Sequence, residues 1–441
     1  MTVLHAYAQE STLRLDAPGG PDLTLATALG LTPDGVEEHP TFFSGFAAHP
    51  DVLAAGLLAV ADVAAASYVE LSAASRSLDP VVTASGDRLR MESFSRCNGV
   101  YARLDLLSDG IDAGDIGFGT TNVDLNAPLR AQLAGVGGAE LLHVSVGADR
   151  LEVATLDATH VERKVDLPSR WVRGFAEVPG VTAGMAHAFD VDRMAAMRFV
   201  GSLTRSAPGP SIHLAPSAHG IRSVASPDRC VVHVAGTARL SAARRVMRHT
   251  RTLRAFRHDS DASAWVFEMD GARLTLALTG DPYRGFSGEG AQLDALAAAH
   301  AGDDARLAEH LAWQPVVDPA ALATDSGLPL ARVRSGLAVL GASGRVGFDL
   351  TDGAWFHREL PFDEERVVRD NPRLDKARRL VESGAVVRDG DGWRVGDASP
   401  RWVRDVGGAR VCTCPWQARH GGSRGPCAHT LAVAITCGQR G

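Results

Sequence analysis

The chain has 441 residues, 45% apolar and 22% charged, with a net charge of −7. That length exceeds what one hydrophobic core organises and suggests about three domains; the composition is that of a soluble globular protein, which excludes a small disulfide-stapled scaffold and wholesale disorder. The balance also speaks against a globally basic nucleic-acid binder, but it is uneven: residues 401–441 carry six arginines against Asp405, a net of +5, leaving −12 for the first 400.

Only Lys164 and Lys376 among the 45 basic residues are lysine, so arginine reflects a GC-rich composition and is a weak clue by itself. Residues 1–15 lack the compact apolar run of a secretory signal, and the longest apolar stretch, 52–61, falls short of the ~18 residues that cross a bilayer. A cytoplasmic protein without a membrane anchor is expected. Four of the six cysteines lie in the last 30 residues, and in a reducing compartment clustered cysteines are more often metal ligands than disulfides.

Residues 1–50 read as irregular, punctuated by Pro18, Gly19, Gly20, Pro21, Pro33 and Pro40. A unit then recurs. A helix over 51–69 precedes strands at 88–94 and 100–107; a second helix follows Asn126, with Pro128 in its first turn, and leads to a hairpin at 141–146 and 151–156. A third helix, 190–203, precedes strands at 212–215 and 221–225. A fourth, 239–249, precedes strands at 253–257, 264–269 and 273–278, the last two joined by an Asp270-Gly271 turn. Four helix-then-hairpin units predict an α+β body with antiparallel sheets, either divergent repeats or two ordinary domains, divided as 1–180 and 181–300. Sliding-clamp-like folds use such a unit, as do many unrelated ones. The string Arg-Gly-Phe occurs at 173–175 and again at 284–286. On the fourth helix Arg244, Arg248 and Arg251 follow i, i+4, i+7 spacing, a stripe that either tracks phosphates or forms a solvated face pairing with acids.

From residue 303 the order becomes helix, helix, helix, hairpin: 305–313, a helix capped by Asp318 with Pro319 at its first position, 329–340, and a hairpin at 345–350 and 354–358. This winged-helix-like domain, 303–360, would present Arg332, Arg334 and Ser335 on its third helix and Arg345 and Arg358 on its wing. The alternative is a packing module. A charged connection, 361–372, leads to a last domain, 366–441, with a helix at 374–383 and hairpins at 385–388/392–395 and 402–406/409–412.

The second hairpin delivers Cys412-Thr-Cys414, and Cys427-Ala-His429 follows after twelve intervening residues. Three thiolates and one imidazole suit a closed tetrahedral zinc. The first pair ends a strand, and the second opens an apolar helix whose Leu431, Ala432 and Ile435 face the hairpin. The loop between them, with Gly421, Gly422, Gly425 and Pro426, has no core of its own. Cys-x-Cys, a variable loop, Cys-x-His and an apolar helix after a β-hairpin closely resemble the SWIM zinc finger, over about residues 400–437. The resemblance implies a ββα unit with one structural zinc on Cys412, Cys414, Cys427 and His429, and a role in binding DNA or protein. Similar bacterial SWIM proteins accompany MoxR-type AAA+ ATPases and von Willebrand A-domain proteins, which makes such partners conceivable. His420 and Cys437 are expected outside the ligand set.

Neither lysine lies in a Gly-rich context, so a Walker A loop is absent, as is His-Glu-x-x-His. The segment Gly117-Phe-Gly119-Thr-Thr-Asn122 lacks the strand-to-helix setting of a dinucleotide site. A non-enzymatic zinc protein that binds nucleic acid, DNA in the first place, or else a zinc-stapled protein adaptor, is the expectation. Arg410, Trp416, Arg419, His420 and Arg424 are the candidate contacts, with Trp416 either stacking on a base or packing on the hairpin.

Overall fold

The computed structural model describes residues 12–14, 22–24, 30–32, 35–37, 41–69, 80–164, 169–204, 209–225, 228, 230–286, 290, 293–360, 371–396, 399–421 and 424–438. Most of the charged connection 361–372 lies outside the described residues. Two short hairpins near the N-terminus pair Thr12–Arg14 (β1) with Asp22–Thr24 (β2) and Gly30–Thr32 (β3) with Gly35–Glu37 (β4).

Four similar units then follow. The first is β5 (Thr41–Ala47), α1 (Pro50–Ala65) and a meander of β6 (Val81–Ser85), β7 (Arg88–Phe94) and β8 (Val100–Leu107). The second is β9 (Ile111–Ile116), β10 (Phe118–Asn122), α2 (Ala127–Gly135) and β11 (His143–Gly147), β12 (Arg150–Ala154) and β13 (Thr159–Arg163). After α3 (Ser169–Ala183), the third runs through β14 (Ala186–Asp192), α4 (Arg193–Ser202), β15 (Ser211–Ser217), β16 (Gly220–Val224) and β17 (Val232–Ala235). The fourth is a 3-10 helix, Thr237–Arg245, with β18 (Thr252–Arg257), β19 (Ser263–Met269) and β20 (Ala272–Leu278). Local chemistry sets several boundaries as the sequence suggests: Asn126 caps α2 by accepting the Leu129 N–H (3.0 Å), with proline in the first turn.

The units exchange strands. One antiparallel sheet of eight runs β10-β6-β7-β8-β20-β19-β18-β14, and a five-stranded sheet runs β13-β12-β11-β5-β9. Thus β5 joins the second unit's sheet, β10 the first unit's and β14 the fourth unit's. The boundary drawn at 180/181 falls inside α3, and both halves share the large sheet across the β8–β20 seam. The segment Gly117-Phe-Gly119-Thr-Thr-Asn122 contributes the edge strand β10, whose Thr120, Thr121 and Asn122 are buried.

Strand alternation gives the large sheet two buried faces. Leu89 and Met91 of β7 and Leu104 and Leu106 of β8 face α1, which is apolar nearly all round and buries Leu53, Leu57 and Val60 there. Gly56 lets α1 approach closely, since a Cβ at that position would lie 2.5 Å from Leu104. The opposite face carries Arg88, Arg90, Glu92, Arg103 and Asp105. Alternation would leave these in water, yet Arg90 and Asp105 are wholly buried.

The cover is α3 together with the segment that follows the sheet: α5 (Leu293–Ala298), α6 (Asp303–Ala308), α7 (Pro319–Ser326), α8 (Leu330–Ala342) and the hairpin β21 (Val346–Asp349) and β22 (Ala354–His357). The helix, helix, helix, hairpin order matches the sequence reading, with Asp318 capping α7 through the Ala320 N–H (2.9 Å). The wing-like hairpin is docked, however. Asp349 pairs with Arg103 at 2.7 Å and lies within 3.7 Å of Arg88, Arg90 and Arg273; Asp352 holds Arg88 (2.7 Å) and Arg273 (3.0 Å); Arg358 bonds Glu92. Phe356 lies under the Arg90 guanidinium, 3.9 Å from the ring centroid. The last unit is α9 (Pro372–Glu382), a four-stranded sheet of β23 (Val386–Asp389), β24 (Gly392–Val395), β25 (Arg401–Val406) and β26 (Ala409–Cys412), then α10 (Pro415–His420) and α11 (Ala428–Gly438). Among the described residues no helix is long and apolar enough to cross a membrane.

Candidate metal centre and its basic surround

The hairpin β25–β26 turns at Gly407-Gly408, both with positive φ, and its pairing places Cys412 opposite Val403 at the edge of a small core. Two residues on, Cys414 caps α10, its Sγ accepting the Gln417 N–H at 3.5 Å; Cys427 precedes α11 and accepts the Thr430 N–H at 3.4 Å. Backbone N–H donors at helix starts favour thiolates over thiols. His429 sits in the first turn of α11, with Nδ1 3.9 Å from the Cys427 Sγ.

The ligand atoms of Cys412, Cys414, Cys427 and His429 all lie within 4.8 Å of one another, the three cysteines buried and the histidine half-buried. Zinc–sulfur bonds of about 2.3 Å put tetrahedral sulfurs about 3.8 Å apart, so the donors need draw in only slightly. Cys427 is the acidified thiol. The hydrogen bond from Cys412 lowers it first, burial opposes, and bonds from His429 and Thr430 lower it further; Cys412, the other partner in that bond, is pushed up. Three thiolates and an imidazole without an open position fit one structural zinc ion. His420 and Cys437 stand outside this group, Cys437 exposed near the end of α11.

A family model described as the SWIM zinc finger matches residues 402–438. This segment is a SWIM zinc finger. No curated protein matches the chain. Among solved structures, the proliferating cellular nuclear antigen from Entamoeba histolytica is similar at 10% identity, covering 54% of this chain and 99% of that one with a TM-score of 0.37. The PCNA2-PCNA3 complex from Sulfolobus tokodaii is similar at 8% identity, covering 54% and 98% with a TM-score of 0.39. Likeness at these scores carries no conclusion about fold or function.

The SWIM finger packs as the sequence suggests, with Leu431, Ala432 and Val433 buried and Ile435 partly so. Two features differ. The stretch between the ligand pairs forms α10 rather than a bare loop, although residues 422–423 lie outside the described residues. The finger's core is also continuous with Leu293 and Leu296 of α5 and with Ala342 of α8. Arg373, on α9, is the strut that sequence reasoning missed. It donates to the Arg424 carbonyl (2.7 Å) and the Pro426 carbonyl (2.9 Å), and its guanidinium lies 4.4 Å from the Trp416 ring centroid. Truncation to alanine is expected to lower the stability of the zinc-loaded finger by about 2 kcal/mol or more, read by thermal unfolding.

Trp416 does not present an open face: besides Arg373 it meets Arg424 at 5.0 Å and His420 at 4.4 Å, and its Nε1–H donates to the Gly425 carbonyl. It orders cations instead of offering a ring to a base. Arg419 is exposed, and Arg410 lies 3.5 Å from Asp405. His420 is less basic than usual; desolvation acts first, then the guanidinium groups of Arg424, Arg419, Arg284 and Arg373.

The other candidates disperse. The helical stripe does not form, because the 3-10 helix ends at Arg245 and Arg251 immediately precedes β18. Arg244 donates to the Leu203 carbonyl, Arg248 to His249, and Arg251 pairs with Asp270. On α8, Arg332 makes a bidentate pair with the buried Asp303, whereas Arg334 is exposed. Arg345 is tied to Glu359 and Arg358 is buried, so the wing has no free cation among these two. Sequence carried no signal for the Leu203 carbonyl or for Asp303 as partners, which lie 41 and 29 residues away along the chain.

Proposed function

We propose that the protein is a non-enzymatic, cytoplasmic, zinc-stapled binder of nucleic acid, DNA in the first place. The observation that carries this reading is the cationic face of the SWIM finger: the Arg373 and Arg424 guanidinium groups lie 4.4 Å and 5.0 Å from the Trp416 ring centroid, Arg419 is exposed on the same helix as Trp416, and the segment's net charge is +5. Zinc holds the helix that Cys414 caps, and the Trp416 ring orders the Arg373 and Arg424 guanidinium groups before a polyanion arrives.

Fluorescence anisotropy of the zinc-loaded chain with labelled single- and double-stranded DNA and RNA at two salt concentrations tests it. Micromolar or tighter binding at low salt is expected, with Arg410, Arg419 and Arg424 changed to alanine flattening the log–log salt slope by about one for each phosphate no longer neutralised. Salt-insensitive binding counts against it.

A second reading, a protein adaptor, is favoured by the outward face of the four-stranded sheet. Register places Val387, Trp402, Val406 and Val411 on one face, and all are exposed, at 43%, 39%, 60% and 40%. It predicts a defined partner that survives nuclease treatment, with AAA+ or von Willebrand A-domain proteins as first candidates, and loss of that partner when Trp402 and Val411 become serine.

A further inference from the structure

Besides the core shared with α5 and α8, the loop after β20 reaches the finger at Gly290. A Cβ on Gly425 would lie 2.5 Å from the Gly290 carbonyl oxygen, so the loop after β20 and the zinc loop touch backbone to backbone, with Arg373 wedged beside both. The same loop carries the second Arg-Gly-Phe string. Its Phe286 is buried against Phe94, its Gly285 abuts Asn98, and Arg284, half-buried, is one of the guanidinium groups whose charge makes His420 less basic. Asp281 shapes the turn: its carboxylate accepts the Tyr283 N–H (2.9 Å) and its carbonyl the Arg284 N–H (3.1 Å). Tyr283 is thereby presented 76% exposed. Asp281 also pairs with Arg284 at 3.3 Å, which leaves several of the five guanidinium donors for another acceptor.

Resting on the nucleic-acid reading above, we infer that Tyr283 and Arg284 complete, with Arg419 and Arg424 of the finger, a site for single-stranded nucleic acid. The guanidinium groups take backbone phosphates, and the Tyr283 ring stacks on an unpaired base. A duplex hides its base faces, so an exposed aromatic ring beside clustered cations has its use on a single strand. Trp416 being covered, Tyr283 is the ring that stands open next to Arg284.

The test is anisotropy of the zinc-loaded full chain with labelled oligo(dT) and with a mixed-sequence duplex. Tyr283→Ala is expected to weaken oligo(dT) binding about tenfold and to leave duplex binding unchanged, while Tyr283→Phe stays within about twofold of the parent. Arg284→Ala is expected to weaken oligo(dT) binding and reduce its salt slope by about one. Unchanged oligo(dT) affinity in Tyr283→Ala and Arg284→Ala, with Arg419→Ala weakened, overturns the composite site and leaves the finger reading standing. Absence of binding by the parent protein to either probe at low salt overturns both. Tyr283 is exposed, so loss of zinc or of fold in its variants is not expected, and zinc content with circular dichroism checks this.

Discussion

Stripping zinc with a chelator is expected to unfold the C-terminal unit, residues 372–438, while the eight-stranded body stays folded. The unit's core is small: among the described residues its own buried aliphatics are Leu374, Ala377, Ala385, Val395, Val403, Ala428, Leu431, Ala432 and Val433, and the three cysteine ligands are buried with them. Its strands are only four to six residues long. Structural zinc contributes on the order of 10 kcal/mol or more in such units, comparable to the whole stability of a typical domain. Amide hydrogen exchange reads the result: protection should collapse in α11 and β23–β26 and persist in β7, β8 and β20. Because Leu293 and Leu296 share the finger's core, α5 should lose protection too. Cys427→Ser should reproduce the chelated state and show no further change when chelator is added. Full protection after zinc removal, verified by metal analysis, would show that packing alone holds the finger.

Asp349→Ala is expected to destabilise the body by about 3–5 kcal/mol, because it leaves Arg88, Arg90, Arg103 and Arg273 gathered in a buried site with one carboxylate fewer. Asp349 also caps its own turn, accepting the Thr351 and Asp352 N–H groups, so Asp349→Asn separates the two effects by keeping that geometry without the charge. Burial raises the Asp349 carboxyl, but Arg103, Arg273 and Arg90 outweigh it and hold the group far below the usual carboxylate range; Asp352 is lowered in the same way, with Arg273 and Arg88 opposing its burial. A depressed folded-state value stabilises above the unfolded value of about 3.9 and is lost as pH falls below it. Urea unfolding followed from pH 7 to pH 3 should therefore show the parent losing stability more steeply below about pH 4 than Asp349→Ala. Parallel curves would mean that the pairing is not what docks the hairpin.

What was legible in the sequence was local. Cys-x-Cys and Cys-x-His set the zinc ligands because each pair is closed by a strand end or a helix start a few residues long. Asn126 and Asp318 announced their helices by the same logic, and Asp270-Gly271 announced its hairpin, with Gly271 at φ 63°. What escaped was set by distant chain. Alternation alone would put the polar positions of β7 and β8 in water, because the hairpin that buries Arg90 and Asp105 arrives some 250 residues later. The arginine stripe failed because residues 237–245 form a 3-10 helix, whose three-residue turn does not stack positions four apart, and because Arg248 and Arg251 lie beyond its end, where the guanidinium groups found nearby carbonyls and acids. Arg373 gave no sign of its role, since both carbonyls it holds belong to the zinc loop.

The strand exchange has a kinetic consequence. Leu106 pairs with Ala272 at the β8–β20 seam, so the central ladder closes only after nearly the whole body has been synthesised. Closure entropy for so long a loop must be met before its hydrogen bonds form, which places the body among slow, high-contact-order folders. Until then β8 waits with an unpaired edge for β20, whereas β5 finds both its partners, β9 and β11, within the first half. The first half made alone is thus an incomplete sheet prone to edge-to-edge association rather than an independent domain.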